Sequence, residues 1–448
     1  MHPWLARNLV YRPATWLRGE PVFRLLAAYE ESQWWPADRL RALQEERLTA
    51  LLRFAATHTA HYGAVVRERG LDPAKLDASR LGELPILTKL DLVERSAALQ
   101  AWRLPGTTSW KTTGGSTGLA VRLRKNRFAT AAEQAASWRS YGWYGVRPGD
   151  HQARFWGTPL RGRARLRARS IDAVLNRTRF SAFAFQRDDL AGYYRELLRA
   201  RPHWAYGYVS MLVQFAAYCL EEKLPLASLG VRAVVTTSEV LSEADRRTLG
   251  EAFGAPVFNE YGCGEVGAVL YECERGSLHL MAENLFLELV PEPTPGAPEA
   301  CRILVTDLHN RATPLVRYDI ADRVVPAPEC ACGRGLPAFR EIFGRAYDFI
   351  VTADGTRYHG EFFLYMVEEA RDAGAPILQA QFVQEAPDRL LIRIVGGDGY
   401  APAHGEALAA RVAEKSAGRL AARVERVEAL VREKSGKLRL ICAGATSA

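Results

Sequence analysis

VRAVVTTSEVLSEADRRTLGEAFGAPVFNEYGCGEVG, residues 231–267, carries the pattern that decides the fold. Residues 231–237 are a β-branched run that reads as a buried strand. Residues 242–253 read as a helix with Ser242 as its N-cap. Pro256-Val-Phe258 opens the next strand. Strand, helix and strand in this order imply a parallel α/β unit. Ligands of such sheets sit beyond the carboxyl ends of the strands. The two stretches that leave these strands are therefore candidate ligand loops: Thr237-Ser-Glu239 and Asn259-Glu-Tyr-Gly-Cys-Gly-Glu-Val-Gly267.

The flanks extend the same reading. Residues 20–75 read as helices, with Leu40, Leu43, Leu48, Leu51 and Leu52 near helical spacing. Residues 85–105 read as a connector, and residues 129–144, 193–199 and 211–222 as helices. Residues 286–290 and 301–306 look like a strand pair joined by a proline-rich loop. Residues 338–350 look like a junction, followed by strands at 380–384 and 390–395 and a helix at 404–419. The expected organisation is a large α/β domain, residues 1–343, and a small α+β domain, residues 344–448.

A second signal stands upstream. In Lys111-Thr-Thr-Gly-Gly-Ser-Thr-Gly118, seven of eight residues are glycines or hydroxyl residues. Glycine admits close backbone approach, and consecutive amides form an anion-binding concavity, so phosphate is the natural guest. No lysine follows Gly118, so this is not a Walker A loop. A solvated turn is the bland alternative. Four more segments follow in order: Thr306-Asp-Leu-His-Asn310, Pro314-Leu-Val-Arg-Tyr-Asp-Ile-Ala-Asp322, Gly344-Arg-Ala-Tyr-Asp348 and Ser435-Gly-Lys437. A tyrosine beside glycine can lay its ring on a purine. Glu265 can hold a magnesium ion that bridges phosphates. Asp322 can accept from ribose hydroxyls, Arg345 can donate to ribose or phosphate, and Lys437 can meet developing charge.

In this order the motifs resemble the adenylate-forming (AMP-binding) superfamily, in its phenylacetate–CoA ligase-like branch, which includes CapK-like capsule-biosynthesis proteins. Glu31-Ser-Gln-Trp-Trp-Pro36 is similar to that branch's opening helices. The resemblance covers nearly the whole chain. It implies an adenylate-forming enzyme fold, with a large α/β domain and a small mobile C-terminal α+β domain. Thr112, Thr113, Gly114, Gly115, Ser116, Thr117 and Gly118 would form the phosphate loop. Ser238, Glu239, Asn259, Glu260, Tyr261 and Gly262 would border the nucleotide, with Asp322 and Arg345 on the ribose. Glu265 would bind Mg2+, and Lys437, with Glu265 and Thr117, would promote attack of a carboxylate on ATP. The acid would lie against Trp138, Tyr141, Trp156, Tyr206, Tyr208 and Ser210. The implied activity is an ATP-dependent ligase that forms an acyl-adenylate and passes the acyl group to CoA. An amine or a carrier-protein thiol are the alternative acceptors. A non-catalytic binding protein retaining the fold is the reading from another class. Two positions depart from the family: Gly264 replaces a usual Ser or Thr before Glu265, and Tyr347 replaces a usual acidic hinge residue.

Cys273, His279, Cys330 and Cys332 supply three sulfurs and one nitrogen, a donor set suited to a closed tetrahedral zinc site. Unrelated loop cysteines are the alternative. Cys263 reads as lining the pocket, and Cys219, Cys301 and Cys442 as core. An odd count of seven cysteines points to a reducing cytoplasm. The net charge of +8 rests on 51 arginines spread along the chain, which argues against a nucleic-acid footprint. No run of about 18 apolar residues spans a membrane. Residues 1–19 lack a signal-peptide core and read as a packed arm rather than a membrane-surface contact. A homodimer stays open.

Overall fold

The computed structural model describes residues 1–448 apart from 105, 114–120, 157–161, 182–186, 240, 294–297, 344–349, 359, 429, 431–439 and 444–448. Gly114, Gly115, Ser116, Thr117, Gly118, Arg345, Tyr347 and Lys437 lie outside the described residues.

Among the described residues, eleven strands form the main sheet. Five are parallel neighbours: Arg177–Ser181, Gln152–Trp156, Trp204–Tyr208, Val234–Thr237 and Val257–Cys263. Parallel neighbours need crossovers, and the helices Gly162–Val174, Arg187–Ala200, Val209–Glu221 and Glu243–Phe253 supply them. The last begins as its sequence foretells, with Ser242 accepting from the Asp245 amide. Gly254 ends it in the left-handed region, φ 60°. The strand expected over 231–237 is shorter, Val234–Thr237. Beyond Val257–Cys263 the sheet turns antiparallel through Gly267–Glu272, Leu278–Leu280, Ala338–Phe343, Tyr318–Pro326, Cys301–Asp307 and Leu285–Pro291.

A four-stranded sheet of Ile377–Ala386, Arg389–Gly396, Ala421–Arg426 and Ile441–Ala443 closes the described chain. It packs with the helices Gly360–Asp372 and Pro402–Lys415 around its own apolar cluster, from Ile350 to Ile441. Two expectations need correction. Residues 85–105 hold two short helices, Lys89–Glu94 and Ser96–Leu99. Cys219 is buried, but Cys301 and Cys442 are only half-buried: Cys301 is the first residue of its strand, and Cys442 sits in an edge strand.

One buried ion pair joins the opening helices to the sheet. Arg139, on the helix Arg127–Gly142, donates to Glu283 at 3.0 Å, and both side chains are almost completely buried. Ser32 donates to the same carboxylate at 2.6 Å. Removing one partner of such a pair strands a charge out of water. Arg139→Leu should therefore lower unfolding free energy by about 3–5 kcal/mol, read by equilibrium denaturant titration. A loss within about 1 kcal/mol would mean that Glu283 is solvated or neutral.

Candidate functional site

A cleft of about 680 Å³ opens beyond the carboxyl ends of Val234–Thr237 and Val257–Cys263. That is where an α/β sheet presents its ligand loops. Its walls hold Ser238, Glu239, Asn259, Glu260, Tyr261, Gly262, Cys263, Glu265 and Asp322. Residues 84 positions apart in sequence thus meet in one cavity.

Local backbone aims these side chains. Ser238 leaves its strand at φ 68°, a left-handed value that costs a non-glycine residue energy and turns the chain sharply. Glu239 follows, and its carboxylate accepts from the Ser210 amide at 2.5 Å and hydroxyl at 2.8 Å. A carboxylate there complements the positive end of the helix Val209–Glu221. The Tyr261 hydroxyl donates to Asp322 at 2.7 Å, so the proposed ring platform and the proposed ribose acceptor form one unit. Glu260 accepts from the hydroxyls of Tyr141 at 2.7 Å and Tyr206 at 3.1 Å. Burial pushes its carboxyl above the usual range despite those bonds. Burial likewise pushes the Cys263 thiol up to about 12, so it is no thiolate nucleophile.

Sequence reasoning missed Lys89. Its ammonium stands 3.6 Å from Glu265, and both side chains are largely buried. Thr88 and Asp91 cap its helix with a reciprocal capping box. Leu87 is stitched to the motif strand, its amide on the Arg317 carbonyl at 3.1 Å and its carbonyl on the Asp319 amide at 2.9 Å. The arginine of the Arg-Tyr-x-x-x-Asp motif acts here as a brace: Arg317 pairs with Glu288 at 3.0 Å and donates to the Leu84 carbonyl at 2.6 Å. Lys89 being one of eight lysines was the only available sequence signal.

The hairpin whose strands flank the glycine-rich segment is anchored by charge. Its strands, Thr108–Thr113 and Val121–Asn126, pair antiparallel. Lys111 on one and Lys125 on the other reach Glu133, at 3.4 and 2.6 Å. Lys125 is buried and also approaches the Val266 carbonyl at 3.4 Å and Asp307 at 3.9 Å. Gly267, at φ 92°, lies so close that a Cβ there would strike the Glu133 carboxyl. One carboxylate therefore ties the hairpin to the turn that carries Glu265. Burial alone would raise the Glu133 carboxyl, but the two ammoniums outweigh it and hold it at about 2.

The aromatic residues assigned to the acid sit in a packed cluster. Tyr141, Tyr206 and Tyr208 are buried, Trp138 donates to the Tyr11 hydroxyl at 2.9 Å, and Trp156 stacks beside Tyr206. None of them borders the cleft described above. Tyr141 and Tyr206 touch it only through Glu260. Ser210 opens on a second cavity of about 420 Å³, shared with Asp354, Thr356 and Arg419.

Cys273, His279, Cys330 and Cys332 converge, their donor atoms all within 4.8 Å of one another. Cys273 and Cys330 sulfurs are 3.7 Å apart, and metal–sulfur bonds near 2.3 Å in a tetrahedron would space them about 3.8 Å. His279 Nδ1 lies 3.1 Å from the Leu336 carbonyl, which leaves Nε2 facing Cys332 Sγ at 3.3 Å. A carbonyl partner of this kind fixes the tautomer of a ligating imidazole. The residues fit one tetrahedral ion.

The chain matches no family model. It is 22% identical over 362 residues to the protein CapK of Staphylococcus aureus, covering 79% of this chain and 78% of that one. It is 28% identical over 343 residues to phenylacetate–coenzyme A ligase of Thermus thermophilus, covering 70% and 72%. A solved 2-hydroxyisobutyryl-CoA ligase, in complex with 2-HIB-AMP and CoA, shares the fold at TM-score 0.62 and 19% identity, over 93% of this chain and 92% of that one. The chain belongs to the adenylate-forming superfamily. Both sequence relatives are similar to the chain over at least 70% of its length. The adenylate-forming fold explains why a mixed sheet ends in a separate four-stranded one.

Glu133→Gln should keep the fold but loosen the hairpin of Thr108–Thr113 and Val121–Asn126. Its depressed carboxyl gives stability that is complete above its ordinary value of 4.5 and is lost as pH falls toward about 2. The melting-temperature gap between wild type and Glu133→Gln should be full at pH 6 to 8, begin to narrow below about 4.5 and vanish only as pH approaches about 2. A gap independent of pH would show that the ammoniums do not hold Glu133 ionised.

Proposed function

We propose that this chain is an ATP-dependent, AMP-forming ligase that activates a carboxylic acid and transfers the acyl group to the thiol of CoA. The observation that carries this is the convergence of Tyr261, Asp322, Glu239 and Glu265 on one cleft beyond the parallel strands. The relatives' names support the same chemistry. In the first step an acid oxygen bonds to the α-phosphorus of ATP and pyrophosphate leaves. In the second the CoA thiol attacks the acyl carbon, loses its proton, and AMP departs.

The chain's own groups divide the work. Tyr261, steadied by Asp322, offers a face to adenine, and Asp322 retains a second oxygen for the ribose. The glycine loop, residues 112–118, would cradle phosphates, supported from below by Glu133. Lys89 adds a positive charge beside the phosphate path. Glu265 fits Mg2+ as a single carboxylate at the cleft, the phosphates giving the other oxygens. Bound there, the ion would neutralise phosphate charge. Arg345 is assigned to the ribose and Lys437 to the attacking carboxylate through their motifs. We place the boundary between the two catalytic domains at residue 343. The acid's pocket is assigned to the aromatic side of Glu260. Seven cysteines free of disulfides suit a reducing compartment, the cytoplasm.

Pyrophosphate release screened over a library of carboxylic acids tests the first step, and AMP release with CoA against amines or a carrier protein tests the second. Failure to bind ATP would instead favour a non-catalytic protein that kept the fold. Lys437→Ala should cut adenylate formation by roughly two to three orders of magnitude, while reaction from a pre-formed acyl-adenylate falls far less. Equal losses in both assays would remove the role assigned to Lys437.

The four-donor cluster is assigned to a structural zinc, because four protein ligands leave no open position for substrate. Elemental analysis of protein purified without chelator should find about one zinc per chain. Cys330→Ser should lower the melting temperature more than it weakens ATP binding. Full stability in metal-free protein would contradict the assignment.

A further inference from the structure

The helical segment over residues 3–17 is amphipathic in the wrong sense for a soluble surface. Its inward side is fixed to the large sheet's layer. Ala6, Tyr11 and Thr15 are buried. The Tyr11 hydroxyl donates to Gln134 and accepts from Trp138, both at 2.9 Å. Asn176 holds the Met1 carbonyl at 3.0 Å. The outward side is rich in large apolar residues: Trp4, Leu5, Leu9, Trp16 and Leu17 are exposed, Trp16 by 78% and Leu17 by 76%, with exposed Arg12 and Pro13 between the two groups. Single exposed apolar residues are ordinary, but five large ones on one segment of 15 residues mark an interaction surface. The expectation of a packed arm is therefore half right: one side packs and the other does not.

The charge around this face is of one sign. Residues 1–24 contain Arg7, Arg12, Arg18 and Arg24 and one carboxylate, the buried Glu20, which pairs with Arg18 at 2.8 Å and with Arg127 at 3.2 Å, so Arg7, Arg12 and Arg24 carry the charge of this face. The helix Gly162–Val174 lies against the middle of the segment. It adds the exposed Arg167 and Arg169, with exposed Ile171 beside them. Its one carboxylate, Asp172, is taken by Arg177 and Arg179. Tryptophans at both ends of an apolar stripe, with arginines along its margins, match a helix lying in the plane of a lipid interface. A second copy of the chain fits poorly, because a two-fold contact would set this basic rim against itself.

We infer that residues 3–17, with the adjoining arginines 167 and 169, form a docking surface for an anionic lipid membrane. The apolar face enters the headgroup boundary, and the arginines meet acidic headgroups. Nothing in this depends on the ligase reading, since the surface lies apart from the cleft. Among the described residues no helix is long and apolar enough to cross a membrane, so attachment is peripheral and reversible.

The test is flotation of the full chain with vesicles of phosphatidylcholine alone or with about one-third phosphatidylserine. Binding is expected to the acidic vesicles only, weakening as salt rises. The triple variant Leu9→Ser/Trp16→Ser/Leu17→Ser removes exposed side chains only, so its circular dichroism and melting should match wild type. Its partition should fall by roughly tenfold or more. Arg167→Glu/Arg169→Glu leaves the apolar face intact and should also weaken binding. Equal flotation with neutral vesicles, or full binding by the triple variant, would overturn the proposal. So would a dimer seen by light scattering that the triple variant abolishes without any vesicle binding, because the face would then serve self-association.

Discussion

Glu133 is the residue on which the candidate site depends. Its carboxylate stands between Lys111 and Lys125, on the two strands that flank the glycine loop. It also fills the space that Gly267 leaves open beneath the turn carrying Glu265. A buried ammonium such as Lys125 needs compensation, and Glu133, the Val266 carbonyl and Asp307 provide it. Three chain segments far apart in sequence are thereby held in one charge cluster. Glycines by themselves specify little conformation, so the hairpin strands on either side need this support.

A similar logic runs through the rest of the site. The motif segments do two kinds of work, and only some face the cleft. Asp307 accepts from the His309 and Asn310 amides, and Asn310 in turn donates to the Arg124 carbonyl. The Thr306–Asn310 motif thus secures the flank of the hairpin strand Val121–Asn126. Arg317 braces the segment that presents Lys89. Tyr261 and Asp322 face the ligand space. Sequence motifs report both kinds of residue without separating them, because each kind is constrained for its own reason.

The cluster of Cys273, His279, Cys330 and Cys332 plays a related part on the antiparallel side. It joins the turn after Gly267–Glu272 to the loop before Ala338–Phe343. That loop packs back on the opening helices, with Arg334 over the rings of Trp34 and Trp143 and Gly335 against the Trp35 carbonyl. The Trp-Trp pair of the opening motif is therefore a packing surface for the loop that carries Cys330 and Cys332 rather than part of the cleft.

Local pattern determined much of this protein. Strand and helix types around residues 231–267, the cap at Ser242, the hairpin of 285–307 and the four-donor set were all legible. Each follows from periodicity, turn chemistry or donor identity within a short window. The ordered motifs sufficed to read the fold family. What the tertiary structure alone decided were pairings over long separations. Arg139 meets Glu283 across 144 positions, and Lys89 meets Glu265 from a segment that reads as a connector. Glu260, next to Tyr261, is engaged by Tyr141 and Tyr206. The exposed stripe of residues 3–17 was likewise hidden, because leucines and tryptophans at helical spacing read the same whether they face core or solvent. Periodicity fixes that a face exists. Only packing against Tyr11, Ala6 and Thr15 decides which face is covered.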